Sequence, residues 1–346
     1  MTPLKHVLIQ LIEENGPLPL SRYMAECLCH PEHGFYMRGE PFGRAGHFTT
    51  APEISQMFGE LIGLWIGDLW TQQGMPNSPA LIELGPGRGT LMQDARRALH
   101  KVPGWPTDAP IHFVEISPAL RAEQAQRNTG AHWWHDVTQL AYDGPVYIIA
   151  NEFFDALPIR QFESTHQGWQ ERAVYAQNGA LGLSPNGLDI SAMIPQRFRR
   201  ADVGEIIEIC APAQSIAQHL AERVAQSGGG ALVIDYGYSE YGLGDSFQAI
   251  ANHAFADPLE APGEADLTAH VNFAALREAA ADRCAVHGPV TQGAFLTELG
   301  LLTRAKALGA EADAQRLAGP TQMGDLFKVL AFTPHGSGDP AGFGAA

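Results

Sequence analysis

The chain has 346 residues, with 22 Lys plus Arg against 38 Asp plus Glu and a formal net charge of -16. Its hydrophobic content of 45% against 17% charged residues can bury a core and argues against disorder beyond the ends, while the acidic excess would repel a phosphate backbone, so no nucleic-acid partner is expected. No run approaches the ~18 apolar residues that span a bilayer, so no membrane insertion is expected; Cys27, Cys29, Cys210 and Cys284 are too irregular for a disulfide framework, and the expectation is an enlarged single domain in the reducing cytoplasm, without a targeting segment.

Leu4, Val7, Leu8, Leu11 and Ile12 recur at helical spacing until Gly16 and Pro17. A second short helix is predicted near Ser21 to Leu28, followed by a long loop from His30 to His47 of the kind that covers a site. Cys27, Cys29, His30 and His33 are metal-ligand types without metal-ligand spacing, so no metal site is expected. Thr50-Ala51-Pro52-Glu53 reads as a capping box that starts a helix with Ile54, Phe58, Leu61, Trp65 and Leu69 on its apolar face. Gly59, Gly63 and Gly67 leave a groove on that helix for a second element.

From residue 80 the rhythm becomes that of βαβ units around a parallel sheet. Strands are predicted at 80–84, 111–116, 146–150, 231–236 and 327–333, and helices near 89–100, 118–127 and 212–227. Alternation in Trp169 to Ala176 and Ile206 to Cys210 suggests inserted antiparallel hairpins, residues 239–270 read as irregular, and the small-residue C-terminus reads as disordered. The expected division is 1–79 for N-terminal helices and covering loop, 80–158 and 204–333 for the core, 159–203 for the insertion and 334–346 for the tail.

The run Leu81-Ile82-Glu83-Leu84-Gly85-Pro86-Gly87-Arg88-Gly89-Thr90 is a buried strand entering a glycine turn and a helix. Gly85 and Gly87 let backbone approach a ligand, and Gly89 lets the following helix sit close. A dinucleotide fingerprint would need glycine at position 90, which is Thr90, and a phosphate loop would need Gly-Lys-Ser or Gly-Lys-Thr. The spacing, with Glu83 two residues upstream, resembles the first motif of class I S-adenosylmethionine methyltransferases. The next strand ends in Glu115, an acid suited to two ribose hydroxyls; Asp136 suits an adenine amino group and Val137 offers its amide. Asn151, Glu152 and Asp155 emerge together at the carboxyl edge of the sheet, where open α/β sheets bind ligands.

Taken together, Gly46-His47-Phe48-Thr49-Thr50-Ala51-Pro52-Glu53-Ile54-Ser55-Gln56, the glycine turn and Asn151 to Pro158 resemble the MidA family. Val233 to Gly237, Ala265 to Val271 and Met323 to Phe327 extend the resemblance over about residues 20 to 333. It implies a class I, doubly wound, mostly parallel α/β sheet with an N-terminal helical region and an inserted mixed segment, S-adenosylmethionine as cofactor, and a protein arginine as acceptor. Mitochondrial members are respiratory complex I assembly factors, which makes a complex I subunit the implied partner, symmetrically dimethylated next to the quinone site. The implied cofactor residues are Glu83, Gly85, Pro86, Gly87, Gly89, Thr90, Glu115, Asp136, Val137 and Asn151, with His47, Thr50 and Ser55 on a substrate loop. The family usually carries Asp where this chain has His47 and Asn272, so two carboxylates are replaced.

Arginine stays protonated in proteins, so its methylation requires a group that localises a lone pair on one nitrogen and holds it in line with the methyl donor. A bidentate carboxylate does both, and Glu152 followed by Asp155 are the expected catalytic acids, by analogy with the acid pair on the same loop of other arginine methyltransferases. Two alternatives stay open on the sequence: a small-molecule methyltransferase, and a non-catalytic cofactor-binding assembly factor.

Overall fold

A computed structural model describes residues 1–37, 50–251 and 254–344. Helix α1 (Pro3–Asn15) starts at Thr2, whose hydroxyl accepts from the Lys5 amide, and stops at Gly16. Strand β1 (Leu18–Pro19) and helix α2 (Leu20–Cys29) follow. The capping box expected at Thr50 does not form. Helix α3 (Ala51–Ile54) is a single turn with no side-chain cap from Thr50, and Glu53 accepts instead from the Thr90 hydroxyl at 2.6 Å. Ser55 breaks the helix, and α4 (Gln56–Gln72) starts anew with the Ser55 hydroxyl accepting from the Met57 amide.

The central sheet contains β2 (Ala80–Leu84), β3 (Ile111–Val114), β4 (His132–Trp134) and β5 (Val146–Asn151), with α5 (Thr90–Leu99) and α6 (Pro118–Arg127) as crossovers. Next come β6 (Arg160–Thr165), β7 (Gly168–Gln177), β8 (Ala180–Asn186) and β9 (Ile206–Ile209), then α7 (Ala211–Ser227) and β10 (Gly229–Tyr238). Strands β11 (Gln248–Ala251), β12 (Ala254–Ala256), β13 (Asp266–Thr268) and β14 (Val271–Asn272) precede α8 (Phe273–Ala280) and β15 (Ala285–Thr291). Helices α9 (Gln292–Glu298), α10 (Leu301–Leu308) and α11 (Glu311–Ala318) lead to β16 (Phe327–Thr333).

The order across the main sheet is β15-β16-β10-β5-β2-β3-β4. Strands β10, β5, β2, β3 and β4 run parallel, and β16 is antiparallel between β10 and β15. Alternate residues of the buried strands serve two cores. Leu81, Tyr147, Ile149 and Ile234 face α4 and α5, while Ile82, Leu84, Ile148 and Val233 face α7 and α8. Both faces are dry, which explains why these strands read as unbroken apolar runs. The chain leaves β2 toward β3 and β4, then returns to place β5 on the other flank of β2, so the switch point lies between the carboxyl ends of β2 and β5.

Three features depart from the sequence expectations. The second sheet, of order β1-β7-β6-β9 with β8 on β7, recruits β1 from the N-terminal region and β9 from beyond residue 203, so the hairpin layer is wider than 159–203. The segment 239–270 holds a three-stranded sheet, β12-β11-β13, whose strands are too short to register a period in the sequence. Residues 334–344 are anchored, where a disordered tail was expected: the Trp65 indole donates to the Ala341 carbonyl at 3.1 Å, and the Phe343 ring packs on Phe295. Among the described residues no helix is long and apolar enough to cross a membrane.

The predicted groove of α4 receives α5. A Cβ on Gly63 would stand 2.3 Å from the Ala95 carbonyl oxygen, a backbone atom that cannot swing away. Gly63→Ala is therefore expected to destabilise the fold by about 1–3 kcal/mol, read as a lower denaturation midpoint; an unchanged midpoint would contradict so close an approach of the two helices.

Candidate active site

Strand β2, buried throughout, delivers the glycine turn to the switch point. Gly85 and Gly87 adopt φ of +58° and +52°, which side chains rarely tolerate. A Cβ on Gly85 would also lie 2.9 Å from the Phe153 ring, so the turn after β2 presses on the loop after β5. Gly89 serves differently from expectation: what comes close is the C-terminal end of α6, where the side-chain amide of the cap residue Asn128 donates to the Gly89 carbonyl at 2.9 Å, and Gly89 lines neither cavity described below.

One cavity, of about 460 Å³, runs from the glycine turn past Glu115, Asp136 and Val137 to Ser215 and His219 of α7. Glu115 accepts from the Ser117 amide at 2.8 Å and from the Gln124 amide group at 3.2 Å. Burial raises its pKa, and those two donors oppose the shift. Asp136 caps the following turn, one carboxylate oxygen accepting from both the amide and the hydroxyl of Thr138, and these bonds lower its pKa. Gln124 was missed by sequence reasoning. It donates to the Gly87 carbonyl at 2.7 Å and accepts from the Trp133 indole at 2.8 Å, tying the turn, Glu115 and the third parallel strand together. A buried glutamine in an otherwise polar helix leaves no trace in the hydrophobic pattern.

A second cavity, of about 320 Å³, contains Glu83, Pro86, Thr90, Asn151, Asp155 and Asp266. The two cavities share Tyr36, Gly85, Gly87 and Glu152. Glu83 Oε2 and Asn151 Oδ1 are buried and have no hydrogen-bond partner, so two acceptors stand ready in this cavity.

Glu152 sits at φ +50°, a strained conformation for a residue with a side chain. Asp235 holds the segment that follows. This carboxylate is fully buried and accepts with Oδ2 from the amides of Phe153, Phe154 and Asp155 at 3.2, 3.0 and 3.2 Å, and with Oδ1 from the Tyr236 amide at 2.9 Å. Glu152 Oε1 accepts from the Ala51 amide at 3.0 Å and the Asn151 side chain at 3.1 Å. Burial and the neighbouring Asp155 push Glu152 up to about 7, and burial pushes Asp155 up to about 6. Burial and the nearby carboxylates also hold Asp235 and Asp266 well above the usual range. Asp266 accepts from the Tyr36 hydroxyl at 2.8 Å. Asp235, Asp266 and Tyr36 had been given no role from sequence, although Asp235 and Asp266 stand inside the motifs Val233 to Gly237 and Ala265 to Val271 that carry the family resemblance.

Among the expected substrate-loop residues, Thr50 lines the second cavity, Ser55 is the helix cap described above and lines neither cavity, and His47 lies outside the described residues. Asn272 accepts from the Ala275 amide at 3.0 Å as the N-cap of α8. An aspartate would do the same there, so this departure from the family pattern leaves the acid cluster intact.

A doubly wound sheet with an antiparallel strand second from one edge and a glycine turn at the switch point defines a class I methyltransferase fold. Residues 61–290 match the family model described as "Putative S-adenosyl-L-methionine-dependent methyltransferase", and the chain belongs to that family. It is 36% identical to a Danio rerio protein named protein arginine methyltransferase NDUFAF7, mitochondrial, over 95% of this chain and 86% of the relative. The Homo sapiens protein of the same name is 33% identical over 97% and 84%. The crystal structure of a "likely methyl transferase from Burkholderia thailandensis bound to S-adenosyl-homocysteine" superposes with a TM-score of 0.85 at 26% identity, covering 99% of this chain and 94% of that one.

Asp235→Asn tests the cage beneath the acids. An amide cannot accept on both sides, so one set of backbone donors would face an NH₂ group, and a loss of about 2–4 kcal/mol is expected in denaturant unfolding. A midpoint equal to that of the unsubstituted chain would show that the four amide bonds do not hold the loop.

Proposed function

We propose that this S-adenosylmethionine-dependent methyltransferase acts on an arginine side chain of a protein. The observation that carries the proposal is the second cavity: Glu83, Glu152, Asp155 and Asp266 converge there, and burial holds all four in a state that a bound cation would relieve. The names of the relatives support a protein arginine as acceptor. The resemblance to the MidA family extends the proposal to a subunit of respiratory complex I as the protein.

The residues present fit the cofactor. Unpartnered Glu83 Oε2 and Asn151 Oδ1 suit its α-ammonium group, the positive-φ turn admits a ligand against its backbone, Glu115 suits the ribose hydroxyls, and Asp136 and Val137 suit adenine. Bound there, the cofactor supplies an electrophilic methyl group on a sulfonium. Glu152 bridges the two cavities and therefore grips the guanidinium fork beside the methyl donor, localising a lone pair on the nitrogen that faces it. Asp155 offsets the remaining charge. The attacking nitrogen would gain the methyl group as the carbon–sulfur bond breaks and its electron pair stays on sulfur, now a neutral thioether; that nitrogen then loses a proton, which Glu152, poised near 7, is suited to receive.

Holding the cation requires Glu152 to be ionised. Its raised pKa leaves it partly protonated below about 7, so kcat/KM is expected to rise with pH through that value and then level off. Glu152→Gln should lower kcat/KM by about 10²–10³ and remove that limb, while affinity for S-adenosylmethionine changes by less than about threefold. Isotopic methyl transfer to arginine peptides measures this; transfer to a small metabolite with arginine peptides untouched would contradict the proposal.

A further inference from the structure

The small sheet β12-β11-β13 forms one wall of the acidic cavity, and its pleat sorts its residues. Ala249 and Leu267 point away from the cavity and are buried in the core built with α1 and α2. Gln248, Ile250, Asp266 and Thr268 point the other way and line the cavity. Phe255 pairs across from Ile250, and Ile250 across from Asp266, so a single row of side chains leads from the outermost strand down to an acid of the cluster.

That outermost strand is left open. All three residues of β12 are exposed, and among the described residues β12 pairs with β11 alone. Phe255 lines the cavity yet is 79% exposed, and Leu326, on the same lining, is 46% exposed. A free strand edge offers a row of backbone donors and acceptors, and natural proteins usually limit such an edge by shortness, charge or proline; β12 is three residues long and is followed by Asp257 and Pro258. Within that short window the edge itself carries only apolar side chains, Ala254, Phe255 and Ala256. An apolar mouth with an open edge, above a pit of carboxylates, complements an extended chain that has a cationic side chain to insert and an apolar one to rest on the rim.

We propose that β12 is the docking edge for the substrate: a polypeptide in extended conformation adds as a further strand beside Ala254–Ala256, and an apolar side chain packs between Phe255 and Leu326. The acceptor arginine, two to four residues along at ~3.3 Å per residue, descends into the cavity. Resting on the arginine activity proposed above, this assigns the recognised feature as strand conformation plus a neighbouring apolar residue.

The probe is a short fluorescein-labelled peptide with a central arginine flanked by alternating valine and threonine, titrated onto full-length protein loaded with S-adenosylhomocysteine. Phe255→Ser should weaken its binding about tenfold and raise its KM by a similar factor, while affinity for S-adenosylhomocysteine stays the same. Leu326→Ser should shift binding in the same direction, and backbone N-methylation of the peptide beside the arginine should weaken it comparably. Equal peptide affinity of Phe255→Ser and the unsubstituted protein, or indifference to N-methylation, overturns the docking edge. A peptide that binds in a Phe255-dependent way but gains no methyl group supports the docking edge and removes the arginine activity. Methylation of N-acetylarginine amide with no measurable binding of the peptide overturns the docking edge and leaves the arginine chemistry standing.

Discussion

A single buried carboxylate organises the centre of this molecule. Asp235, on a strand that neighbours β5, gathers the amides of Phe153, Phe154 and Asp155 with one oxygen and that of Tyr236 with the other. Those amides have no strand partner where β5 ends, and left unpaired in the interior they would each cost about 1–3 kcal/mol. Collecting them forces the chain to turn sharply at Glu152, whose φ of +50° is the visible strain. Two consequences follow together: Phe153 is driven against Gly85, which fixes the glycine turn, and Glu152 is left where the two cavities meet.

The same device concentrates carboxyl groups. Glu152, Asp155, Asp235 and Asp266 all have raised pKa values, for which burial is the first cause and mutual repulsion adds to the shift in Glu152, Asp235 and Asp266. Raised acids favour the folded state most below the ordinary carboxylate range, and that contribution is lost as pH rises through about 6 for Asp155 and about 7 for Glu152. The cluster thus weakens the free protein near neutral pH and suits a cationic ligand that would restore the balance, a trade of stability for function. The formal net charge of -16 acts in the same direction at longer range and would attract a basic segment.

Much of the frame was legible because its causes are local. The parallel strands 80–84 and 146–151 are buried on both faces and so read as apolar runs, and the glycine turn follows from positive φ that only glycine meets cheaply. Glu115, Asp136, Asn151, Glu152 and Asp155 were singled out because each stands at or shortly past a strand end, where a doubly wound sheet puts its ligands. The unread parts depend on distance. Gln124 and Asp235 matter through bonds to residues 37 and about 80 positions away, and neither periodicity nor spacing records a partner that far off. The capping box failed for the same reason: Glu53 has the right local spacing, but Thr90 and Arg88 in the fold offer it stronger partners than its own helix start. Ser55, expected on a substrate loop, serves as the N-cap of α4.

Carboxyl groups held partly protonated in the cavity are expected to ionise when they receive a guanidinium. Calorimetric titration of an arginine peptide near pH 6.5, in buffers of different ionisation enthalpy, measures this directly. The structure leads us to expect protons released to the buffer on binding, with most of that release gone in Glu152→Gln. Binding with no proton exchanged, or a release unaffected by that substitution, would contradict the account.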